Sequence, residues 1–236
     1  GHAAGRNVTT GTFNTLIGAL AGDALTTGGY NTAVGYEALS LEDANGTNTA
    51  VGAQALRILN AGADGYNTAV GFVAGEAMTT GTHNTLVGAA AGDALTTGGS
   101  NVAIGYGALT TEDAHGRNVA IGHNALATQD AGADAYNVAI GYTAGVLIST
   151  GVENVLIGGL AGDALTTGSY NIAIGKSALS AEDAHGKNIA IGWGTLATLN
   201  AGADAYNIAI GHNSGTYLTT GIKNTLIGGL AGDALD

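Results

Sequence analysis

Apolar and polar positions alternate along this chain in a short unit that recurs from one end to the other. Each unit begins with Asn-x-(Ala/Leu)-(Val/Ile)-Gly, and its alternating, largely β-branched residues favour a β-strand. The spacing from one asparagine to the next is 17, 17, 19 and 17 in turn, and this cycle then starts again, which makes a super-repeat of length 70. The units begin at Asn14, Asn31, Asn48, Asn67, Asn84, Asn101, Asn118, Asn137, Asn154, Asn171, Asn188, Asn207 and Asn224.

This period predicts the architecture. A unit this short lies well below the roughly 33–47 residues of helix-pair repeats, and it suits one coil of a β-solenoid. We therefore predict an all-β fold, a parallel β-solenoid (β-roll) of about 13 coils. The solenoid is expected to be a single domain over 1–236, with super-repeats 14–83, 84–153 and 154–223 and partial repeats at both ends. Because the pattern shows no polar caps, we expect a fragment of a longer chain.

Columns of equivalent residues predict which faces are buried. The fourth position is always Val or Ile and is expected to stack inside the solenoid. The third position is always Ala or Leu and faces the opposite side of the strand. Because a strand that is apolar on both faces should be buried on both, the third column is predicted to contact other copies of the chain, as in a homotrimer. The first-position asparagines are predicted to hydrogen-bond along the solenoid axis.

The second half of the unit occurs in two forms. Ala-Leu pairs such as Ala38-Leu39 predict a second strand in the coil. In other coils Gly replaces this Leu, and an apolar residue follows three places later, as with Gly22 and Leu25. This compensation predicts one packing position that is filled from two places in the backbone.

Composition and charge narrow the classes of partner. The chain has 42 Gly, no Pro and no Cys, and only 10% charged residues, so much of its apolar surface should be buried. Its net charge of −12 argues against nucleic acid and against anionic membrane surfaces as partners. No apolar run is long enough to span a membrane. Glycans, proteins and cations remain open as partners.

Two segments carry a resemblance to known fibres. Val102-Ala103-Ile104-Gly105-Tyr106-Gly107-Ala108 and the matching run at 119–125 resemble the head repeats of trimeric autotransporter adhesins. The run NTAVGYEAL at 31–39 also resembles repeats of phage tail fibres and of bacterial surface fibres that carry a self-cleaving chaperone. The resemblance implies a left-handed β-roll, a homotrimer, and a location outside the cell or on a virion surface. It also implies attachment to host glycans or proteins.

The predicted function is therefore a structural, non-enzymatic segment of an extracellular trimeric fibre or adhesin, acting as a rigid rod and a multivalent attachment surface. Gly175-Lys176-Ser177 resembles the end of a phosphate-binding loop. The motif also requires a Gly at position 170, which is Tyr here, so no such loop is predicted. The alternatives are a monomeric ice-binding solenoid and a self-assembling surface or matrix filament. The Thr column that ice binding would need is interrupted, because Val or Ile replaces Thr after Thr85 until Thr225.

Candidate binding residues lie in the turns and in two variable columns. Asp130 and Asp134 flank a Gly in a turn rich in oxygen donors, which indicates a Ca²⁺ site, with an ordinary Asx turn as the alternative. His115 and His185 occupy matching EDAHG turns and are expected to be solvated. Aromatic residues in the two variable columns are candidates for binding sugars or proteins, or for stacking between coils: Tyr30, Tyr36, Tyr66, Phe72, Tyr106, Tyr136, Tyr142, Tyr170, Trp193 and Tyr206.

Overall fold

The computed structural model describes residues 1–112 and 114–235. Within these residues the regular secondary structure consists of short strands, one in each repeat unit, and no helix occurs. The predicted all-β parallel β-solenoid is confirmed. The strands are β1 Thr15–Ile17, β2 Thr32–Val34, β3 Thr49–Val51, β4 Thr68–Val70, β5 Thr85–Val87, β6 Val102–Ile104, β7 Val119–Ile121, β8 Val138–Ile140, β9 Val155–Ile157, β10 Ile172–Ile174, β11 Ile189–Ile191, β12 Ile208–Ile210 and β13 Thr225–Ile227.

The chain divides into two compact units, residues 1–117 and residues 118–236. The first unit holds β1 to β6, the second holds β7 to β13, and within each unit every strand pairs in parallel with the next strand. Equivalent residues face each other without a shift: Ala190 pairs with Ala209 although the coil between them is one of the longer ones. Repeat positions therefore form straight columns within each unit. The predicted single domain over 1–236 stays a prediction.

The first-position asparagines form the predicted ladder. Asn154 lies fully buried, and its Oδ1 accepts a hydrogen bond from the backbone N–H of Asn171 at 2.9 Å. Its Nδ2 donates to the carbonyl of Gly168 at 2.9 Å, and its own backbone N–H donates to Asn137 Oδ1 at 2.8 Å. The same pattern occurs in the first unit, where Asn48 N–H donates to Asn31 Oδ1 at 3.0 Å. Each side chain thus ties its own coil to the coils on both sides.

The assignment of the two strand faces is the reverse of the prediction. The third column lines the interior, where Ala33, Leu156 and Ala173 have no accessible surface. The second and fourth positions point outward, and Ile104 and Ile210 are 36% and 38% exposed. The prediction that the fourth column fills the core and the third meets other chains is therefore wrong. A coil with one short strand encloses a narrow interior, which accepts Ala more readily than a column of branched side chains.

The predicted second strand is also wrong, because residues 36–39 form a turn. Glu37 and Leu39 have positive φ angles of 53° and 51°, and Tyr30 before the asparagine has a φ of 59°. Left-handed geometry at these positions in successive coils bends the chain back to the start of the next strand. For a residue such as Leu this conformation costs about 1–3 kcal/mol, which the surrounding packing must offset.

The ninth and twelfth positions are two separate interior positions, so the predicted exchange between them is wrong. Leu56 and Leu59 of one coil are both fully buried, and in the coil of Leu39 the twelfth position holds the buried Glu42. A Cβ added to Gly22 would lie 2.8 Å from Leu25 Cδ1, and one added to Gly162 would lie 2.8 Å from Leu165 Cδ1. Glycine at the ninth position therefore leaves room for the apolar side chain that follows.

The glycine at the fifth position allows successive coils to approach closely. Gly175 has a φ of 135°, and a Cβ on it would collide with the backbone carbonyl of Gly192 in the next coil. Gly192 stands in the same relation to Gly211. This column therefore tolerates no side chain.

Replacing Gly175 tests the requirement for close approach. We expect Gly175→Ala to lower the free energy of unfolding by more than about 4 kcal/mol, because backbone in two coils must separate. Gly202→Ala is the matched control: Gly202 also has a positive φ, 67°, but its added Cβ meets nothing within 4 Å. The control should lose about 1 kcal/mol in urea denaturation. Equal losses in the two variants would contradict this explanation.

Candidate functional site

The outward side of the sheet forms a regular surface in each unit, and we call it the outer face. It consists of the second and fourth strand positions. In the second unit from β7 to β12 these positions are all Val or Ile: Val119, Ile121, Val138, Ile140, Val155, Ile157, Ile172, Ile174, Ile189, Ile191, Ile208 and Ile210. Most are half-buried, so a continuous apolar surface remains in contact with solvent.

In the first unit one column of the outer face is polar. Thr15, Thr32, Thr49, Thr68 and Thr85 occupy the second position in β1 to β5, and each pairs in register with the next. The fourth column beside them is Val or Ile. The outer face therefore changes from alternating hydroxyl and aliphatic columns to purely aliphatic ones along the sequence.

The two aromatic columns flank each strand in sequence and are exposed. The candidate residues Tyr30, Tyr36, Tyr66, Phe72, Tyr106, Tyr136, Tyr142, Tyr170, Trp193 and Tyr206 are 48% to 64% exposed. Neighbouring rings also stack between coils, with centroids 4.9 Å apart for Phe13 and Tyr30 and 5.0 Å apart for Trp193 and His212. These columns thus combine contact between coils with open ring faces, and ligand binding by them stays a prediction.

One hollow in the second unit combines an aromatic ring with a carboxylate. Tyr136, Glu153 and Val155 line an open space of about 390 Å³. Farther along the same column Lys187 Nζ lies 2.5 Å from Asp204 Oδ2 and 3.1 Å from the Tyr206 hydroxyl. The Lys187 ammonium lowers the pKa of the Asp204 carboxyl, and Asp204 raises the pKa of Lys187. The column of residues that precede the asparagines therefore includes aromatic, acidic and basic side chains.

The predicted calcium ligands Asp130 and Asp134 lie in a turn whose equivalents have a structural role. Asp64 Oδ1 accepts a hydrogen bond from Gly46 N–H at 3.1 Å, and Asp204 Oδ1 accepts one from Gly186 N–H at 3.2 Å. These contacts agree with the Asx-turn alternative for this position. Calcium binding at Asp130 and Asp134 stays a prediction.

A buried carboxylate that the repeat pattern did not predict recurs once in each super-repeat. Glu42, Glu112 and Glu182 have no accessible surface. They occupy the twelfth position of the unit, which in other coils holds buried apolar side chains such as Leu25 and Leu165. A glutamate that recurs every 70 residues in a column that is apolar in most other coils was the signal that could have found them.

Burial raises the pKa of the Glu42 carboxyl, because desolvation disfavours its charged form, and neighbouring Asp43 adds to the shift. Two backbone N–H groups oppose it, those of Asn45 at 3.3 Å and Ala61 at 3.4 Å. Burial likewise raises the pKa of the Glu182 carboxyl. The carboxyl groups of Glu42 and Glu182 therefore hold a proton more firmly in the folded state than in the unfolded chain.

The histidines of the EDAHG turns are only partly solvated, in contrast to the expectation. The His115 and His185 side chains are 32% and 31% exposed, and their Nδ1 atoms lie 3.8 Å and 3.5 Å from the carboxylates of Glu112 and Glu182. Each turn thus directs an imidazole towards its buried glutamate.

No protein-family model, no curated protein and no solved structure matches this chain. The resemblance to adhesin and tail-fibre repeats therefore stays a prediction, as does the expectation that the chain is not an enzyme. No helix among the described residues has the length and apolar character needed to cross a membrane.

Replacing the buried carboxyl tests its effect on stability. A carboxyl whose pKa is raised on folding stabilises the protein in acid, and this stabilisation is lost as the pH rises from the unfolded pKa through the folded pKa. We expect Glu42→Gln to unfold at higher denaturant than the wild type at pH 7, and to flatten the fall in stability above the ordinary Glu pKa of 4.5. Gln129 lies buried at the same repeat position, so Gln is tolerated there.

Glu37→Gln is the control for this experiment. Hydrogen bonds from Tyr36 and Gln54 lower the pKa of the Glu37 carboxyl, so its removal should change the pH dependence in the opposite direction. Urea denaturation from about pH 4 to pH 7 measures both effects. If the two variants gave parallel pH profiles, burial of Glu42 would have no effect on the pH dependence of stability.

Proposed function

We propose that this chain is a structural, non-enzymatic segment of an extracellular trimeric fibre or adhesin, in which the outer faces of three copies pack together. The observation that carries the proposal is the outer face of the second unit. β-Branched aliphatic side chains in two straight columns form an apolar surface of a kind that monomeric proteins rarely leave in water. The apolar alternation that predicted contact between chains thus still supports an oligomer, with the second and fourth columns in place of the third.

The shape and composition of this surface suit a second sheet face of the same kind. Flat faces of Val and Ile pack well against one another, and the outer face of β7 to β12 carries no charge that would oppose such contact. The number three comes from the resemblance to adhesin head repeats. The chain's low content of charged residues, 10%, agrees with extensive burial in an assembly.

Attachment belongs to the exposed aromatic columns. Open rings such as Tyr106 and Tyr142, 60% and 61% exposed, offer apolar faces on which sugar rings or protein side chains can stack. Because a repeat presents many similar sites, weak individual contacts would add to a strong attachment. Host-surface glycans or proteins are the partners that this proposal implies.

The mass of the assembly in solution tests the proposal. We expect light scattering after size exclusion to give about three times the chain mass of 22.9 kDa. Ile174→Lys with Ile191→Lys should convert the trimer to monomer with an unchanged circular dichroism spectrum, because these half-buried positions lie at the sheet surface. Asn200→Lys, at an exposed turn position, is the control and should remain trimeric. A wild-type protein that is a compact monomer would refute the proposal.

Ice binding by a monomer is the second candidate, favoured by the threonine column of the first unit. Its members lie on the outward side of a parallel sheet, in register from β1 to β5. The Thr-Thr pairs of the turns do not extend this array, because Thr26 and Thr166 direct their hydroxyls to the backbone carbonyls of Asp43 and Asp183.

Thermal hysteresis separates the two candidates. The trimer proposal predicts none, because the outer face is covered by other copies. If the wild type shows hysteresis that Thr49→Lys with Thr68→Lys abolishes, the ice-binding function replaces the trimer. Thr167→Lys, at an exposed turn position, serves as the control in this assay.

A further inference from the structure

The glutamate of the EDAHG turn at 182–186 is buried with few partners. Glu182 has no accessible surface, and the equivalent residues Leu165 and Leu199 in the neighbouring coils are also fully buried. Among the described residues, its carboxylate accepts hydrogen bonds only from the backbone N–H groups of His185 at 3.3 Å and Ala201 at 3.4 Å. Both distances exceed the usual 2.9–3.0 Å, and an ionised carboxylate can accept about four hydrogen bonds. The site therefore has unused capacity for a positively charged partner.

His185 supplies a second, independent sign of a ligand. Its Nδ1 atom is buried and has no hydrogen-bond partner. This nitrogen lies 3.5 Å from Glu182 Oε1, which is too long for a good hydrogen bond. Two ligand atoms bound tetrahedrally at Zn²⁺ distances of about 2.0–2.1 Å lie about 3.4 Å apart. The observed separation therefore fits two atoms that share one metal ion.

Asp183 adds a third ligand and a route from solvent. One carboxylate oxygen of Asp183, one of Glu182 and an imidazole nitrogen of His185 all lie within 4.8 Å of one another. The Asp183 side chain is exposed, and its backbone carbonyl accepts hydrogen bonds from Thr166 in the preceding coil. The neighbouring coil thus holds the turn in place while the carboxylate faces water.

We propose that Glu182, Asp183 and His185 bind a divalent transition-metal ion such as Zn²⁺. One imidazole nitrogen and two carboxylate oxygens are a ligand set that Zn²⁺ accepts, with water in the remaining position. The ion would neutralise the buried Glu182 and occupy the orphaned ring nitrogen. Because all three ligands come from one turn, metal binding would stabilise that turn and does not depend on whether the chain forms a trimer.

The other two super-repeats provide internal comparisons. The first has Asn45 at the position of His185, and Glu42 there accepts the same two backbone hydrogen bonds at 3.3 Å and 3.4 Å. Asparagine is therefore compatible with this turn. The second super-repeat has the same EDAHG sequence at 112–116, where Asp113 lies outside the described residues.

The experiment isolates one site by using His115→Asn as the background. After treatment with a chelator, Zn²⁺ is titrated into the full chain by calorimetry, and thermal unfolding is followed with and without Zn²⁺. We expect H115N to bind one Zn²⁺ through this turn and to unfold at a higher temperature with it. The double variant H115N/H185N should lose at least tenfold in affinity together with the thermal shift. Ca²⁺, which prefers oxygen ligands, should not distinguish the two variants.

Glu182→Gln in the same background removes a ligand charge at a position where Gln129 shows that glutamine can be buried. It should also lose at least tenfold in Zn²⁺ affinity while it keeps the wild-type circular dichroism spectrum. Affinities within twofold for H115N and H115N/H185N would overturn the proposal, because the ion would then bind at other histidines. Failure of H115N to bind Zn²⁺ at millimolar concentration would overturn it as well.

Discussion

The structure depends on a buried ladder of asparagine side chains. Strands as short as these cannot hold a parallel sheet in register by themselves. Along the ladder, asparagine side chains accept a hydrogen bond from the backbone of the next coil, and most donate one to a carbonyl, as Asn154 does with Asn171 and Gly168. Since these amides are buried, a coil that slipped by one residue would leave several polar groups without partners. The ladder therefore keeps the columns formed by all the remaining repeat positions straight.

Straight columns then determine what each repeat position can hold. At the fifth position successive coils approach so closely that only glycine fits, as Gly175 shows. At the third position the interior holds Ala or Leu. At the ninth and twelfth positions it is filled by larger apolar side chains such as Leu39 and Leu25. The branched aliphatic residues are left on the outside, where they form a regular surface suited to another copy of the chain.

Repeat positions that depart from this regularity are the best candidates for functional residues. Glu182 occupies a position that holds an apolar side chain in most other coils, and among the described residues it lies beside a histidine whose Nδ1 atom has no hydrogen-bond partner. The aromatic columns depart from it in another way, because they are exposed and change identity from coil to coil while the interior remains nearly constant. A constant interior with variable edges agrees with the proposal that this chain presents many weak contacts along a repeat.

The sequence by itself determined the fold class, the period and the asparagine ladder. These follow from spacing and residue type, which a repeat displays many times over. Which side of the strand is inside was decided only by the tertiary structure, because alternation separates two faces without ranking them. The turn at 36–39 and the contact between His185 and Glu182 were also beyond reach of the pattern, since both depend on left-handed backbone geometry and on how neighbouring coils close over a side chain.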